Sequence, residues 1–542
     1  MKLKKILFLF AATAAVVFGP QTYAADKPKL VVAILVDQLR YDYLERFDQH
    51  FTTNGFRTFT KDGAFMTFAR YPYYPTKTAP GHATFLSGSG PAVHGIIEND
   101  WFDKKTRRSM YCVEDKSVQG VGTKTAKGQM SPRNFMGTTF SDEMRTHYGS
   151  KVVGISMKDR GAVLPAGKKP AGAYWFESAS AQFVSSTYYM NELPAWMQEF
   201  NARKIPSSYI GKTWTHLIDS KHYTMKDDGI SEGKLSGEKT STFPHTINES
   251  KGEGAETIMP TPYGNQLLLE LAKAAIEGEK LGQGAQPDVL CVSFSSIDYC
   301  GHLFGPNSQE VMDITLRLDR QLSELFTYLD QKIGMKNVTM VLTADHGVAP
   351  IPEQAAQNGY DAARVKDTEL MVDLLGKLDQ KFGPGKYFLT PKPVEGNLYF
   401  NHEVLNEKKL SPTELCNFIR EWALDTGKFQ AVYSREQLLD GRTPGQLGQM
   451  VFNGYNAERS GDVVMVTKPF LLMSGYPSGT SHGTPYSYDT HVPVCFYGSA
   501  FKPGRYADEF YITDIAPTLA AALHVEQPAA AIGKPFVKAL AP

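Results

Sequence analysis

Carboxylate and imidazole side chains that could bind metal ions occur in three separated parts of the sequence, together with one further aspartate near the start. The set consists of Asp37, Asp298, His302, Asp345, His346 and His482. Mixed oxygen and nitrogen ligands suit zinc, with three protein ligands and one open position for each ion. A single Asp-His pair is more typical of a turn than of a ligand, so the prediction of a zinc site depends on the whole set.

A second candidate for chemistry is Thr78, in the segment 75–82 with the sequence PTKTAPGH. Pro80 indicates the start of a helix, because its missing N–H would have no partner there. The free N–H groups and the dipole at a helix N-terminus favour an alkoxide and a bound phosphoryl group. The alternative is that Thr78, or Thr76, only caps the helix. The local sequence does not decide between a nucleophile and a cap.

Three other polar residues could bind phosphate oxygens. Lys158 and Arg160, in the segment SMKDRG, offer a compact charge and a planar fork of donors. Asn99 could donate from its side-chain amide. Taken alone, the basic pair is more typical of a solvated surface turn, and Asn99 of an ordinary turn residue.

The elements that would position these residues follow a strand, helix, strand order. Unbroken apolar runs at 30–36, 288–294 and 338–343 suit parallel strands that are covered on both faces. Helical patterns lie between them, at 265–277 and 311–329. This order predicts a doubly wound α/β fold with a largely parallel sheet. Asp37, Asp298 and Asp345 lie at or after strand ends, where ligands bind in such sheets.

The same alternation breaks twice, at about 165–255 and about 351–475. The first stretch is rich in aromatic and polar residues, and the second mixes short helical and strand patterns. We therefore expect one catalytic domain over 25–542 with two cap-like insertions on its core.

Composition and the N-terminus limit the partners and the compartment. Lys plus Arg and Asp plus Glu both number 57 in 542 residues, which argues against broad electrostatic binding to nucleic acid or membrane. Residues 1–24 combine lysines, a short apolar run and a small-residue cleavage site, as in a signal peptide. Periplasmic or secreted localisation without a stable membrane anchor follows as an expectation. The five cysteines form no framework spacing and are expected mainly in the core.

Seven motifs in order along the chain make it resemble the alkaline phosphatase superfamily. They are the strand ending in Asp37, TAPGH at 78–82, HGIIEN at 94–99, KDR at 158–160, Asp298 with His302 and TADHG at 343–347, and HGTPY at 482–486. The likeness is greatest to the phosphate-irrepressible periplasmic alkaline phosphatases, which use a Thr nucleophile. It runs from about residue 28 to Pro542.

The resemblance implies two zinc ions and a role for each candidate. One zinc would be bound by Asp298, His302 and His482, and the other, which activates Thr78, by Asp37, Asp345 and His346. Asn99, Lys158 and Arg160 would hold phosphoryl oxygens. His491 lies near His482, but only His482 precedes a glycine as the ligand of the family does.

These residues predict hydrolysis of phosphate monoesters through a phospho-threonine intermediate. The positive charges of two zinc ions, Lys158 and Arg160 exceed the negative charges of the three carboxylates. A Thr alkoxide with a phosphate dianion would nearly cancel this excess positive charge. A nucleotide pyrophosphatase or phosphodiesterase of the same superfamily remains the nearest alternative. A non-catalytic phosphate-binding protein on this scaffold is the other, although it predicts loss of the nucleophile or of some ligands.

Overall fold

A central sheet of ten strands forms the frame of the protein, in a computed structural model that describes residues 27–249 and 255–542. The predicted signal peptide at 1–24 lies outside the described residues. In chain order the strands are β1 Leu30–Val36, β2 Ala64–Met66, β3 Gly120–Val121, β4 Val152–Ser156, β5 Gly172–Glu177, β6 Gln182–Ser186, β7 Asp288–Phe294, β8 Val338–Thr343, β9 Val494–Tyr497 and β10 Gly504–Tyr506. They lie in the order β10-β2-β9-β8-β1-β7-β4-β5-β6-β3.

The middle of this sheet is parallel. Strand β1 pairs in parallel with β7 and β8, and β4 pairs in parallel with β7 and β5. Antiparallel pairs flank this part, between β8 and β9 and between β5 and β6. Every residue of β1, β7 and β8 is buried, as continuous apolar runs require. The predicted α/β fold with a largely parallel sheet is confirmed.

Helices supply the layers over the sheet. The six that matter most for the site and the core are α1 Thr78–Ser87, α2 Phe140–Tyr148, α3 Asp159–Ala166, α4 Pro262–Gly278, α5 Ser296–Phe304 and α6 Gln309–Lys332. Other helices are Tyr41–Arg46, Phe56–Thr60, Pro91–His94, Ala195–Ala202, Pro352–Gln357, Asp367–Phe382, His402–Glu407, Pro412–Asp425, Arg435–Leu439, Gly445–Gly454, Ser487–Thr490 and Ile515–Leu523. The two helices predicted from the sequence pattern are α4 and α6, each a few residues longer than its pattern.

The stretch at 351–475 has a small sheet and an apolar core cluster of its own. It contains a three-stranded sheet of Asn397–Leu398, Val463–Thr467 and Phe429–Ser434. Buried apolar residues from its helices, such as Leu374 and Ile419, form a core cluster separate from that of the central sheet. That this stretch is an insertion on the catalytic core stays a prediction.

The stretch at 165–255 differs from the expectation of an insertion, because its first part continues the central sheet as β5 and β6. Its aromatic residues Tyr174, Trp175 and Phe176 are buried in β5, so they are core residues of the sheet and not residues of a cap. The rest, from about 195 to 249, contains only short helices and one two-stranded sheet, Thr213–Trp214 with His245–Thr246.

Two further expectations can be compared with the coordinates. All five cysteines are buried and unpaired, as expected of core residues. Within the described part of the chain, none of the helices has the length and apolarity needed to cross a bilayer.

Candidate active site

Three buried carboxylates meet at the carboxyl edge of the parallel strands. Asp37 directly follows β1, and Asp345 lies two residues after β8. Asp298 differs from the expectation of a strand-end residue, because the chain has already turned into α5 after β7 and Asp298 lies in its first turn. Helix α5 still starts at that edge, so the three carboxylates converge.

Gln38 holds these carboxylates together. Its backbone N–H donates to Asp345 Oδ1 at 3.0 Å, and its side-chain amide donates to Asp298 Oδ1 at 2.7 Å. Gln38 has a φ of 64°, a left-handed conformation that is costly for a residue other than glycine. Backbone strain at this position therefore coincides with the meeting point of the three carboxylates.

The first candidate metal group consists of Asp298, His302 and His482. One ligand atom from each lies within 4.8 Å of the others. The imidazole Nε2 atoms of His302 and His482 are 3.3 and 3.8 Å from Asp298 Oδ1. His302 lies one helical turn after Asp298 on α5, which puts both on the same face. These are the three residues assigned to one zinc by the resemblance.

The second candidate metal group surrounds Thr78. His346 Nε2 lies 3.2 Å from Asp345 Oδ2 and 3.3 Å from Thr78 Oγ1. Asp37 is brought to the same place by His82, whose two ring nitrogens are 3.4 Å from Asp37 Oδ1 and 3.6 Å from Asp345 Oδ2. Asp37, His82 and Asp345 are close enough to hold an ion. Two histidines therefore compete for the third ligand position.

The hydrogen bonds of the imidazoles separate ligands from supports. His302, His346 and His482 each place Nδ1 within 2.8 to 2.9 Å of a backbone carbonyl, which fixes the tautomer and leaves Nε2 free for a metal. His82 uses both nitrogens, with Nδ1 at 2.8 Å from the carbonyl of Thr78 and Nε2 at 2.7 Å from Ser293 Oγ. This pattern favours His346 as the ligand and His82 as its support.

The polar atoms at the site fit metal ions. Asp345 Oδ2 is buried and, among the described residues, accepts no hydrogen bond, with only imidazole nitrogens at 3.2 and 3.6 Å, and Asp37 Oδ2 has only its ion pair with Lys158. Buried carboxylate oxygens without a donor are costly unless a cation lies against them. Together with three imidazole Nε2 atoms, these oxygens form a donor set that suits zinc.

Lys158 lies between the two groups. Its Nζ is 2.8 Å from Asp37 Oδ2 and 2.5 Å from Asp298 Oδ2, and all three side chains are almost fully buried. Burial alone would raise the pKa of Asp37 and of Asp298, but Lys158 and the neighbouring histidines outweigh it and hold both pKa values below the ordinary 3.8. Burial alone would also lower the pKa of Lys158, yet the two carboxylates raise it above 10.5. All three groups are therefore charged at neutral pH.

Thr78 is the first residue of α1, and the N-cap is Lys77, whose side chain makes no capping bond. The alternative that Thr78 or Thr76 caps this helix is therefore wrong, because Thr76 Oγ1 donates instead to the carbonyl of Thr484 at 2.8 Å. The hydroxyl of Thr78 faces His346.

Asn99 and Arg160 lie near the same helix end. Asn99 Oδ1 accepts the N–H of Ala79 at 2.9 Å, so its amide NH₂ points away from the helix backbone. Arg160 donates from Nη1 to Tyr111 Oη at 2.9 Å, and its buried Nε has no hydrogen-bond partner in the described residues. Both side chains thus keep donors for an anion.

The structure brings together all ten residues singled out from the sequence, although Lys158 contacts carboxylates first. Sequence reasoning missed the supporting roles of Gln38, His82 and Tyr111. His82 had a signal, since it lies four residues after Thr78 on a helix. Gln38 and Tyr111 had none, because their contacts join distant segments.

Comparison with known proteins shows the family of the chain. The profile of the type I phosphodiesterase / nucleotide pyrophosphatase family matches residues 31–491. The chain belongs to this family. Alkaline phosphatase PhoV of Synechococcus elongatus is 39% identical over 523 residues, covering 95% of this chain and 93% of the relative. Alkaline phosphatase PafA of Elizabethkingia meningoseptica is 37% identical over 548 residues, covering 99% of both.

The crystal structure of wild-type PafA superposes with a TM-score of 0.90 at 37% identity, covering 95% of this chain and 99% of that one. The predicted membership of the alkaline phosphatase superfamily and the predicted fold are confirmed. The two relatives also confirm the prediction of an enzyme of the alkaline phosphatase class.

Proposed function

We propose that this family member is a secreted, zinc-dependent alkaline phosphatase that hydrolyses phosphate monoesters through a phospho-threonine intermediate. The observation that carries the proposal is the position of Thr78, whose Oγ1 lies 3.3 Å from His346 Nε2 at the start of α1. No other hydroxyl at the site combines a helix N-terminus with a candidate metal ligand among the described residues.

The side chains of the chain suit a double displacement. Thr78 Oγ1 attacks phosphorus, and the phosphoryl group passes to Thr78 before water removes it. The positive end of α1 stabilises charge on Oγ1 and on the bound phosphoryl group. Asn99 and Arg160 supply donors for its oxygens. Zinc bound by the two ligand groups would lower the pKa of a coordinated hydroxyl and stabilise the departing alkoxide.

Two observations favour a monoester over a diester. A monoester brings a phosphate dianion, which the cationic Lys158 and Arg160 can balance better than they balance a monoanion. Of the three relatives that are 37 to 39% identical, PhoV and PafA are named alkaline phosphatases and one from Myroides odoratus is named a calcium-transporting ATPase, whereas the family profile carries the name phosphodiesterase. The diesterase remains the second candidate because the family profile carries that name.

A solved structure of PafA supports the choice of residues. That protein was altered at one Thr, one Asn, one Lys and one Arg. Thr78, Asn99, Lys158 and Arg160 are the same four residue types in the same order along this chain. We propose that they act as nucleophile and phosphoryl ligands here.

Replacement of the nucleophile tests the proposal. Thr78→Ala should lower kcat/KM for a phosphate monoester by about a thousandfold or more, because no covalent intermediate can form. Zinc content measured by mass spectrometry should not change, since His346 and Asp345 remain. Acid quenching of the wild type should trap phosphate on Thr78. Undiminished turnover in the variant would contradict the assignment, and wild-type protein that binds phosphate without turnover would favour a non-catalytic scaffold.

The substrate class is tested by a matched pair, 4-nitrophenyl phosphate and bis(4-nitrophenyl) phosphate, which share one leaving group. We expect the monoester to have the higher kcat/KM. A higher value for the diester would favour the phosphodiesterase. The signal-like sequence at 1–24 supports export, and appearance of activity in the periplasmic fraction would agree with it.

A further inference from the structure

The residue before the nucleophile carries a charge that the proposed mechanism does not use. Lys77 Nζ lies 2.8 Å from Glu395 Oε2, a residue of the insertion at 351–475. The aliphatic part of Lys77 packs on Gly483, and its charge acts on the imidazole of His482. The Lys77–Glu395 pair therefore lies beside the candidate metal group of Asp298, His302 and His482, the group left to bind the leaving-group oxygen if the other group activates Thr78.

A tight turn delivers Glu395 to this position. Val394 and Asn397 exchange two backbone hydrogen bonds of 2.9 Å, so Glu395 and Gly396 form a two-residue hairpin loop. Both have left-handed φ values, 47° and 79°. Glycine adopts this conformation freely, but a glutamate pays about 1 kcal/mol for it. A strained glutamate where Asn or Gly would fit better points to a role for its carboxylate.

A second carboxyl group, that of Glu98, faces the pair from the segment that ends in Asn99. Glu98 is buried and its Oε1 has no hydrogen-bond partner within the described residues. Burial and the charge of Glu395 raise the pKa of Glu98 well above its ordinary 4.5, and Lys77 offsets this only in part. Glu98 therefore resists ionisation, and the carboxylate that forms an ion pair with Lys77 is that of Glu395.

The two members of the pair are not equally exposed. The side chain of Glu395 is 48% exposed and that of Lys77 only 11%. A group that approaches this side of the site from solvent therefore meets the carboxylate before the ammonium. Solvent screens the electrostatic effect of the Glu395 carboxylate on that group, but the effect on a negative charge is always repulsive.

We propose that Glu395 is a specificity-determining residue that disfavours phosphate esters whose leaving group carries a negative charge. The ion pair with Lys77 limits this discrimination, because the ammonium offsets part of the negative charge of Glu395. The inference rests on the proposed monoesterase function, because it concerns the side of the site where the leaving group departs.

Phenyl phosphate and 4-carboxyphenyl phosphate test it, since they differ by one carboxylate. The measured quantity is the ratio of their kcat/KM values, which cancels any loss common to both substrates. Glu395→Gln should shift the ratio about fivefold towards the anionic substrate, and Lys77→Met should shift it the other way. Added salt should shrink both shifts. Glu395→Asn removes the charge while suiting the left-handed turn, and should repeat the first shift.

Glu403→Gln is the matched control. Glu403 belongs to the same stretch and pairs with Arg107 at 2.6 Å on the surface. The ratio of the two kcat/KM values in Glu403→Gln should therefore equal that of the wild type. An unchanged ratio in Glu395→Gln and Glu395→Asn, or equal losses on both substrates, would overturn the specificity role. Wild-type protein that hydrolyses neither ester would contradict the monoesterase proposal itself, which separates the two failures.

Discussion

At the scale of single residues, Lys158 balances the buried charge of the site. Its ammonium joins Asp37 and Asp298, which belong to different metal groups. Because the pair of contacts is buried, removing the ammonium leaves two carboxylates close together in a low dielectric. Lys158 therefore has a structural role in addition to its proposed contact with phosphate.

Lys158→Met should lower the free energy of unfolding of metal-free protein by about 3 to 5 kcal/mol, the usual cost of breaking a buried ion pair. Zinc should reduce the loss, because its charge can replace the ammonium. Urea unfolding with chelator and with zinc measures both. Lys538→Met breaks an exposed pair with Asp508 and should cost less than about 1 kcal/mol. Equal losses for the two variants would contradict this role of Lys158.

The sequence could predict candidate metal ligands because aspartate and histidine after buried strands have few structural roles besides metal binding and catalysis. Asp345 with His346 after a buried strand, and Asp298 with His302 four residues apart, indicate ligands when they are taken together, although neither pair does so alone. Gln38 was not predictable, because a glutamine has no distinctive chemistry and its contacts to Asp298 and Asp345 join positions about 260 and 307 residues away.

At the scale of elements, the approach of α1 to the turn after β8 depends on Gly81. A Cβ at this position would lie 2.7 Å from the Cβ of Asp345 and still closer to its carbonyl oxygen. The absence of a side chain thus lets the nucleophile helix pack directly on a candidate metal ligand.

Gly81→Ala should push α1 and Asp345 apart and destabilise the protein by about 1 to 3 kcal/mol, as overpacking does. Zinc content and turnover should fall with it, because Thr78 and Asp345 move. The matched control is Gly376→Ala in the helix Asp367–Phe382, where an added Cβ meets nothing within 4 Å. Replacing an exposed helical glycine should stabilise by about 1 kcal/mol. A neutral Gly81→Ala, judged by urea unfolding and metal analysis, would show that the contact is not tight.

Strands β1, β7 and β8 of the parallel sheet were predictable because burial on both faces leaves an unbroken apolar run, whereas β4 was not predicted, although all five of its residues are buried. Strand β5 was not recognised, although all six of its residues are buried. Its aromatic residues Tyr174 and Trp175 are as common in binding surfaces as in cores, and only pairing with β4 decides between them. Likewise, the position of Asp298 in α5 depends on where the chain turns after β7.

At the scale of the whole molecule, the candidate metal ligands come from the first strand, the middle of the chain and the C-terminal part. Asp37 and His482 are 445 positions apart, since 482 minus 37 is 445. An ion that binds these segments together binds the folded chain and not the unfolded one. Metal binding should therefore stabilise the entire fold.

Removal of metal should lower the melting temperature of the whole protein. Zinc at about a hundred times its Kd would add about 2.7 kcal/mol for each site, by mass action on the folded state. Calorimetry before and after chelation measures the loss, and added zinc should restore it. Magnesium or calcium should restore little, because both prefer oxygen ligands and three of the candidate ligands are imidazoles. A melting temperature that chelation leaves unchanged would count against the two candidate metal groups. Full restoration by magnesium would count against zinc as the bound metal. Recovery with zinc alone would tie the stability of the chain to the same ligands that flank Thr78.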